Sequence, residues 1–167
     1  MSQPVTEPGV HVVVDDQLAL LATLGLLVLP DGVRGTLVTT YAWQLRITQA
    51  LVSGRATQGS LQRLVALSGL SRAEALARVT RPDPSLLEVI DPRPLVWEVA
   101  ALRVERRANQ LAAETIAAAH HLGAVVRLSE GNGRGHVRDQ SATAGIDVAV
   151  WRLGPGPNGL TPVRWPA

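Results

Sequence analysis

Two adjacent carboxylates, Asp15-Asp16, end the apolar run His11-Val12-Val13-Val14. Glu130 follows a second such run, Ala124-Val125-Val126-Arg127-Leu128-Ser129, and Glu114 lies ahead of it in an alanine-rich stretch. Asp15, Asp16, Glu114 and Glu130 are hard oxygen ligands of the sort Mg²⁺ or Mn²⁺ accepts. A cation held by them can activate water for phosphodiester cleavage. Each acid also has a plain structural reading. Asp15 or Asp16 can cap the helix that follows, Glu114 in an early helical turn suits the helix dipole, and Glu130 can be an ordinary loop acid.

For the chemistry to operate, the elements must bring these acids together. A short β-branched run followed by an amphipathic one reads as a buried parallel strand feeding a helix. Residues 11–14 are therefore expected as a strand and 17–29 as a helix, closed by the turn Pro30-Asp31-Gly32. Residues 35–39 read as extended. Thr39 or Thr40 can cap a helix reaching Ser53, with Gly54 at its end. Residues 58–68 and 72–79 form a helical pair split by Gly69-Leu70-Ser71, and Ser71 with Glu74 makes a capping box. A strand over 86–90, a helix over 95–107 and an Asn109-capped helix to Leu122, stopped by Gly123, come next.

Residues 124–128 read as a strand and Gly131 to Gly135 as a glycine-rich loop. A helix over 137–144 and a strand over 146–151 complete the pattern. Alternating strands and helices predict one domain over 10–153, a three-layer α/β/α fold on a parallel sheet with an inserted α-helical hairpin. Residues 1–9 and 154–167 are expected as irregular arms. In such sheets ligands bind beyond the carboxyl ends of the strands. Asp15 and Glu130 would lie there. Glu114 is about 12 Å back along its helix from Leu122, and the strand after it rises about 17 Å. The three acids would then share one level.

The run Val12-Val13-Val14-Asp15 opening a helix resembles the start of PIN domains, a metal-dependent ribonuclease family. Leu111-Ala112-Ala113-Glu114-Thr115-Ile116-Ala117-Ala118-Ala119, Leu122-Gly123-Ala124-Val125-Val126 and Ser129-Glu130 resemble that family's last helix, strand and acid. Thr39-Thr40-Tyr41-Ala42-Trp43-Gln44-Leu45-Arg46 is similar to a segment of PIN-like proteins of high-GC bacteria. The resemblance spans most of 10–151 and implies four acids. Asp15 and Glu130 match the first and last. Glu114 stands two residues beyond the third, where Ala112 falls. The second is lost, and its helix offers Gln44 and Arg46 instead. The resemblance implies either a metal-dependent, toxin-like ribonuclease acting on RNA or a PIN fold without catalysis. The latter would bind a protein partner, such as a regulator or antitoxin, or pair as a homodimer.

Arginine supplies all the non-histidine basic charge, and the net charge is +2 over 167 residues. That figure alone declares no nucleic-acid binder, so the placement of the arginines decides. Arg46, Arg134 and Arg138 are candidates for phosphate contact, and Arg103, Arg106 and Arg107 can extend the same basic face. Gly131-Asn132-Gly133-Arg134-Gly135-His136 can cradle a phosphate through backbone amides, although it is not a nucleotide-binding fingerprint. Residues 61–78 resemble a helix-turn-helix exposing Arg72 and Arg78 to DNA; an α-hairpin within the larger fold is the favoured reading of the same residues.

Other chemistries are excluded. The chain has no Cys, hence no disulfide, thiolate metal site or Cys nucleophile. His120 and His121 are neighbours on a helix and point apart. Hydrophobic residues make up 46% of the chain and aromatic ones 3%, which predicts an aliphatic core. Trp43 and Trp97 are expected in core or interface positions, and Trp151 and Trp165 pinning the tail. Without a signal-like start or an apolar run of about 20 residues, the expectation is a cytoplasmic protein with no membrane contact.

Overall fold

A computed structural model describes residues 10–27, 35–53, 59–154 and 161–164. The expectations for residues 1–9, the turn at Pro30-Asp31-Gly32, Gly54 and Trp165 lie outside these. Among the described residues six strands form one sheet: β1 (Val10–Val14), β2 (Gly35–Thr39), β3 (Glu88–Val89), β4 (Val125–Ser129), β5 (Val148–Gly154) and β6 (Thr161–Arg164). Their order is β3-β2-β1-β4-β5-β6. The first five are parallel, and β6 pairs antiparallel with β5.

Helices cover both faces, giving the three-layer α/β/α fold. Strand alternation assigns the side chains. Val12 and Val14 face one core with α1 (Asp16–Thr23), α2 (Tyr41–Ser53), α3 (Gly59–Ser68) and α4 (Arg72–Thr80). Val13, Val38, Val126 and Leu128 face the other with α5 (Val96–Glu105), α6 (Gln110–Leu122) and α7 (His136–Thr143). The inserted hairpin is α3–α4. It buries Leu61, Leu64, Val65, Ala75 and Val79 in the first core and leaves Arg72 and Arg78 exposed. The capping box between Ser71 and Glu74 is formed.

Several boundaries differ from the pattern. The first helix ends at Thr23, not residue 29, because Gly25 takes φ +71 and turns the chain within the apolar run. The expected 95–107 helix starts as a 3-10 turn at Arg93–Leu95 and stops at Glu105, with Arg107 in the left-handed region at φ 52. The tail expected to be irregular supplies β6. Trp151 is buried in the first core and Trp43 in the second, whereas Trp97 is 87% exposed and outside either core. Among the described residues no helix is long and apolar enough to cross a membrane.

Candidate functional site

The parallel register of β1 with β4 sets Val14 beside Arg127, so the strand ends Asp15 and Ser129 meet at the carboxyl edge of the sheet. Asp15 is wholly buried. Its Oδ1 accepts the Leu18 N–H at 3.1 Å, the N-cap bond of α1. Its Oδ2 accepts the Ser129 N–H at 2.6 Å, the Ser129 hydroxyl at 2.6 Å and the Asn132 amide at 2.8 Å. The capping reading of Asp15 is thus correct, and it covers only one of the two oxygens.

Asp16, also buried, is held as tightly. Its Oδ1 accepts the Gln17 N–H at 2.9 Å and the Asn132 amide at 2.8 Å. An amide NH₂ has two donors, so Asn132 bridges the two carboxylates. Arg46 of α2 lays its Nε 2.9 Å from Asp16 Oδ2, and its guanidinium stands 5.7 Å over the Trp43 ring. Burial raises the Asp15 carboxyl above its ordinary range despite its hydrogen bonds. Burial, then the Asp15 charge, raises Asp16 to about 6 against the opposing pull of Arg46.

Glu114 and Glu130 do not join this pair. Glu114 is buried in α6, and its Oε2 accepts the Ala42 N–H at 2.8 Å. Its Oε1 accepts the Gln110 amide at 2.5 Å. The next residue, Thr115, accepts the Trp43 indole N–H at 2.9 Å. Glu114 therefore closes the start of α2 from another helix. This corrects the capping expected of Thr39 or Thr40: the Thr39 hydroxyl donates to the Val14 carbonyl, and the buried Thr40 hydroxyl has no partner among the described residues. Gln44 donates to the Val79 carbonyl in α4. Glu130 is half exposed and pairs with Arg152 at 2.8 Å.

Among the described residues no three His, Cys, Asp or Glu side chains come close enough to hold one ion. The expected convergence of Asp15, Glu114 and Glu130 on one ion is corrected accordingly: Glu114 turns to the Ala42 N–H and Glu130 to Arg152 instead. The residues present do not fit a hydrated divalent cation. Such an ion needs bare carboxylate oxygens, whereas the oxygens of Asp15 and Asp16 face N–H and O–H donors and a guanidinium.

Arg134 and Arg138, expected at a phosphate, lie elsewhere on the same edge. With Glu130, Gly133, Val150 and Arg152 they line a cleft of about 400 Å³. Ser129 and Asn132 are not expected at the acid pair from the sequence: Asn132 reads there only as part of a phosphate-cradling loop, and it donates to Asp15 and Asp16 instead. Ser129 ends its strand as Asp15 follows its own, and Asn132 sits between two glycines, so both positions were visible in the sequence. Compared with models of known families and with curated proteins, the sequence matches none.

Proposed function

We propose that this chain is a PIN-like domain that binds a protein partner and carries a structural, non-catalytic acid site. One observation carries the reading: Arg46 and Asn132 satisfy the Asp15–Asp16 pair internally. The parallel strand order, with α/β/α layers around it, supports the resemblance at the level of fold. Exposed apolar side chains on α5, Trp97 at 87% and Val104 at 80% two turns apart on one face, with Val96 at 63% beside Trp97, support a binding role, because exposed apolar surface of this kind can mark interaction sites.

The test combines three measurements. Mg²⁺ or Mn²⁺ at millimolar concentration is expected to leave the thermal midpoint unmoved and to start no cleavage of single-stranded RNA. Trp97→Ala is expected to keep the stability of the parent and to abolish a complex with a co-purified regulator. Cleavage of RNA that needs the cation and vanishes in Asp15→Asn would reverse the reading.

A second reading, the metal-dependent ribonuclease, has one observation in its favour. Two buried acids with raised protonation at strand ends are a common mark of functional sites. The same cleavage assay decides between the two.

A further inference from the structure

The cleft beside the acid pair has its own chemistry. Its floor is the buried Gly133 packed on Val150. A Cβ at Gly133 would lie 2.4 Å from Val150 Cγ2, so glycine is what lets the turn settle there. Its rim is Arg134, Arg138 and Arg152, facing a single acid, Glu130. Arg152 and Glu130 pair with each other. Arg134 and Arg138 are exposed and make no ion pair with any described residue. Arg138 also borders a neighbouring hollow that Asp139 and Asp147 line, without an ion pair to either. Among the residues that line the cleft, Arg134 and Arg138 thus stand as two guanidiniums without an ion-paired carboxylate.

We infer that this cleft binds a phosphomonoester dianion of nucleotide size. A phosphomonoester carries close to two negative charges at neutral pH, which matches the two guanidiniums. Guanidinium groups pair with phosphate through two parallel hydrogen bonds. The cleft volume of about 400 Å³ is that of a small-ligand site. A phosphodiester, with one charge, answers only one of the two guanidiniums. The inference is independent of the proposed function, since none of these residues touches the Asp15–Asp16 pair in any hydrogen bond or ion pair described above.

Two sources share this chemistry, a free nucleotide and the 5′-phosphate end of an RNA strand. Isothermal titration at low ionic strength would use adenosine 5′-monophosphate, adenosine, cyclic adenosine monophosphate, and one hexanucleotide RNA with and without its 5′-phosphate. Binding of either phosphomonoester, at least tenfold tighter than its phosphate-free or cyclic counterpart, is expected. Which of the two binds identifies the source. The Arg134→Gln/Arg138→Gln double variant is expected to weaken that binding tenfold or more, and Arg63→Gln on α3 to leave it unchanged. Both are exposed substitutions, and the urea midpoint checks that the fold is kept. Equal affinity with and without the phosphate, no binding of either monoester, or undiminished binding in the double variant would overturn the inference.

Discussion

Asp16 is the residue at which pH should act on this protein. Its carboxyl rises from 3.8 to about 6 in the fold, chiefly through burial and then through the Asp15 charge. The folded form therefore holds its proton more tightly than the unfolded chain. The resulting stabilisation is complete below about pH 4 and is lost as pH climbs through about 6. The change amounts to roughly 3 kcal/mol for Asp16 alone, and Asp15 shifts in the same direction. Urea midpoints measured between pH 4 and 7 should fall as pH rises, and Asp16→Asn should flatten that fall. A midpoint that rises through this range would contradict the assignment. Asn132→Asp tests the bridge. It replaces two donors with a third carboxylate, which should destabilise the fold by about 3 kcal/mol or more without metal. Mn²⁺ should restore part of that loss by thermal melt, though it does nothing to the parent. At this scale the sequence was half legible. Asp15 and Asp16 announce themselves by charge at the end of an apolar run. Nothing in their own neighbourhood states that Arg46 will pair with Asp16 and Asn132 bridge the two, since those partners come from distant turns of the chain.

The α2–α6 clasp belongs to the scale of elements. Two consecutive residues of α2, Ala42 and Trp43, bond to two consecutive residues of α6, Glu114 and Thr115. Helix α2 thus begins with its first-turn N–H satisfied from outside itself, a need every helix has. Glu114→Ala would strand a buried N–H and should cost about 2 kcal/mol in urea denaturation. Glu114→Gln keeps an accepting oxygen and should cost clearly less. Equal losses in the two variants would show that side-chain volume, not the bond, is what matters there. Signals carried by adjacent residues were readable in advance. Asn109 caps α6 through the Ala112 N–H, and Gly123 ends it at φ 60. The box between Ser71 and Glu74 starts α4. The task of Glu114 was not readable, because its partner is 72 residues away and a carboxylate early in a helix looks the same whether it meets a metal, a dipole or a neighbouring helix.

For the whole molecule the relevant hazard is the open sheet edge. Unpaired edge strands recruit other chains unless they are short or covered. The edge at β3 is only two residues long, which leaves little to pair with. The other edge would be β5, seven residues long, were β6 not laid antiparallel along it from Trp151 to Gly154. The fold class was legible because alternating strand and helix patterns admit few parallel arrangements. The closing strand was not, because Gly, Pro and Asn crowd the tail and Pro162 falls inside β6 itself. Proline lacks the N–H a central strand needs but is tolerated at an edge, so a composition that argues against a strand in general does not argue against this one. A chain ending at Gly154 should therefore keep the three-layer fold and lose solution behaviour. Light scattering after size exclusion is expected to show association that grows with concentration in the shortened chain and not in the full one. Identical monomeric profiles for both would mean that β6 covers nothing the molecule needs covered.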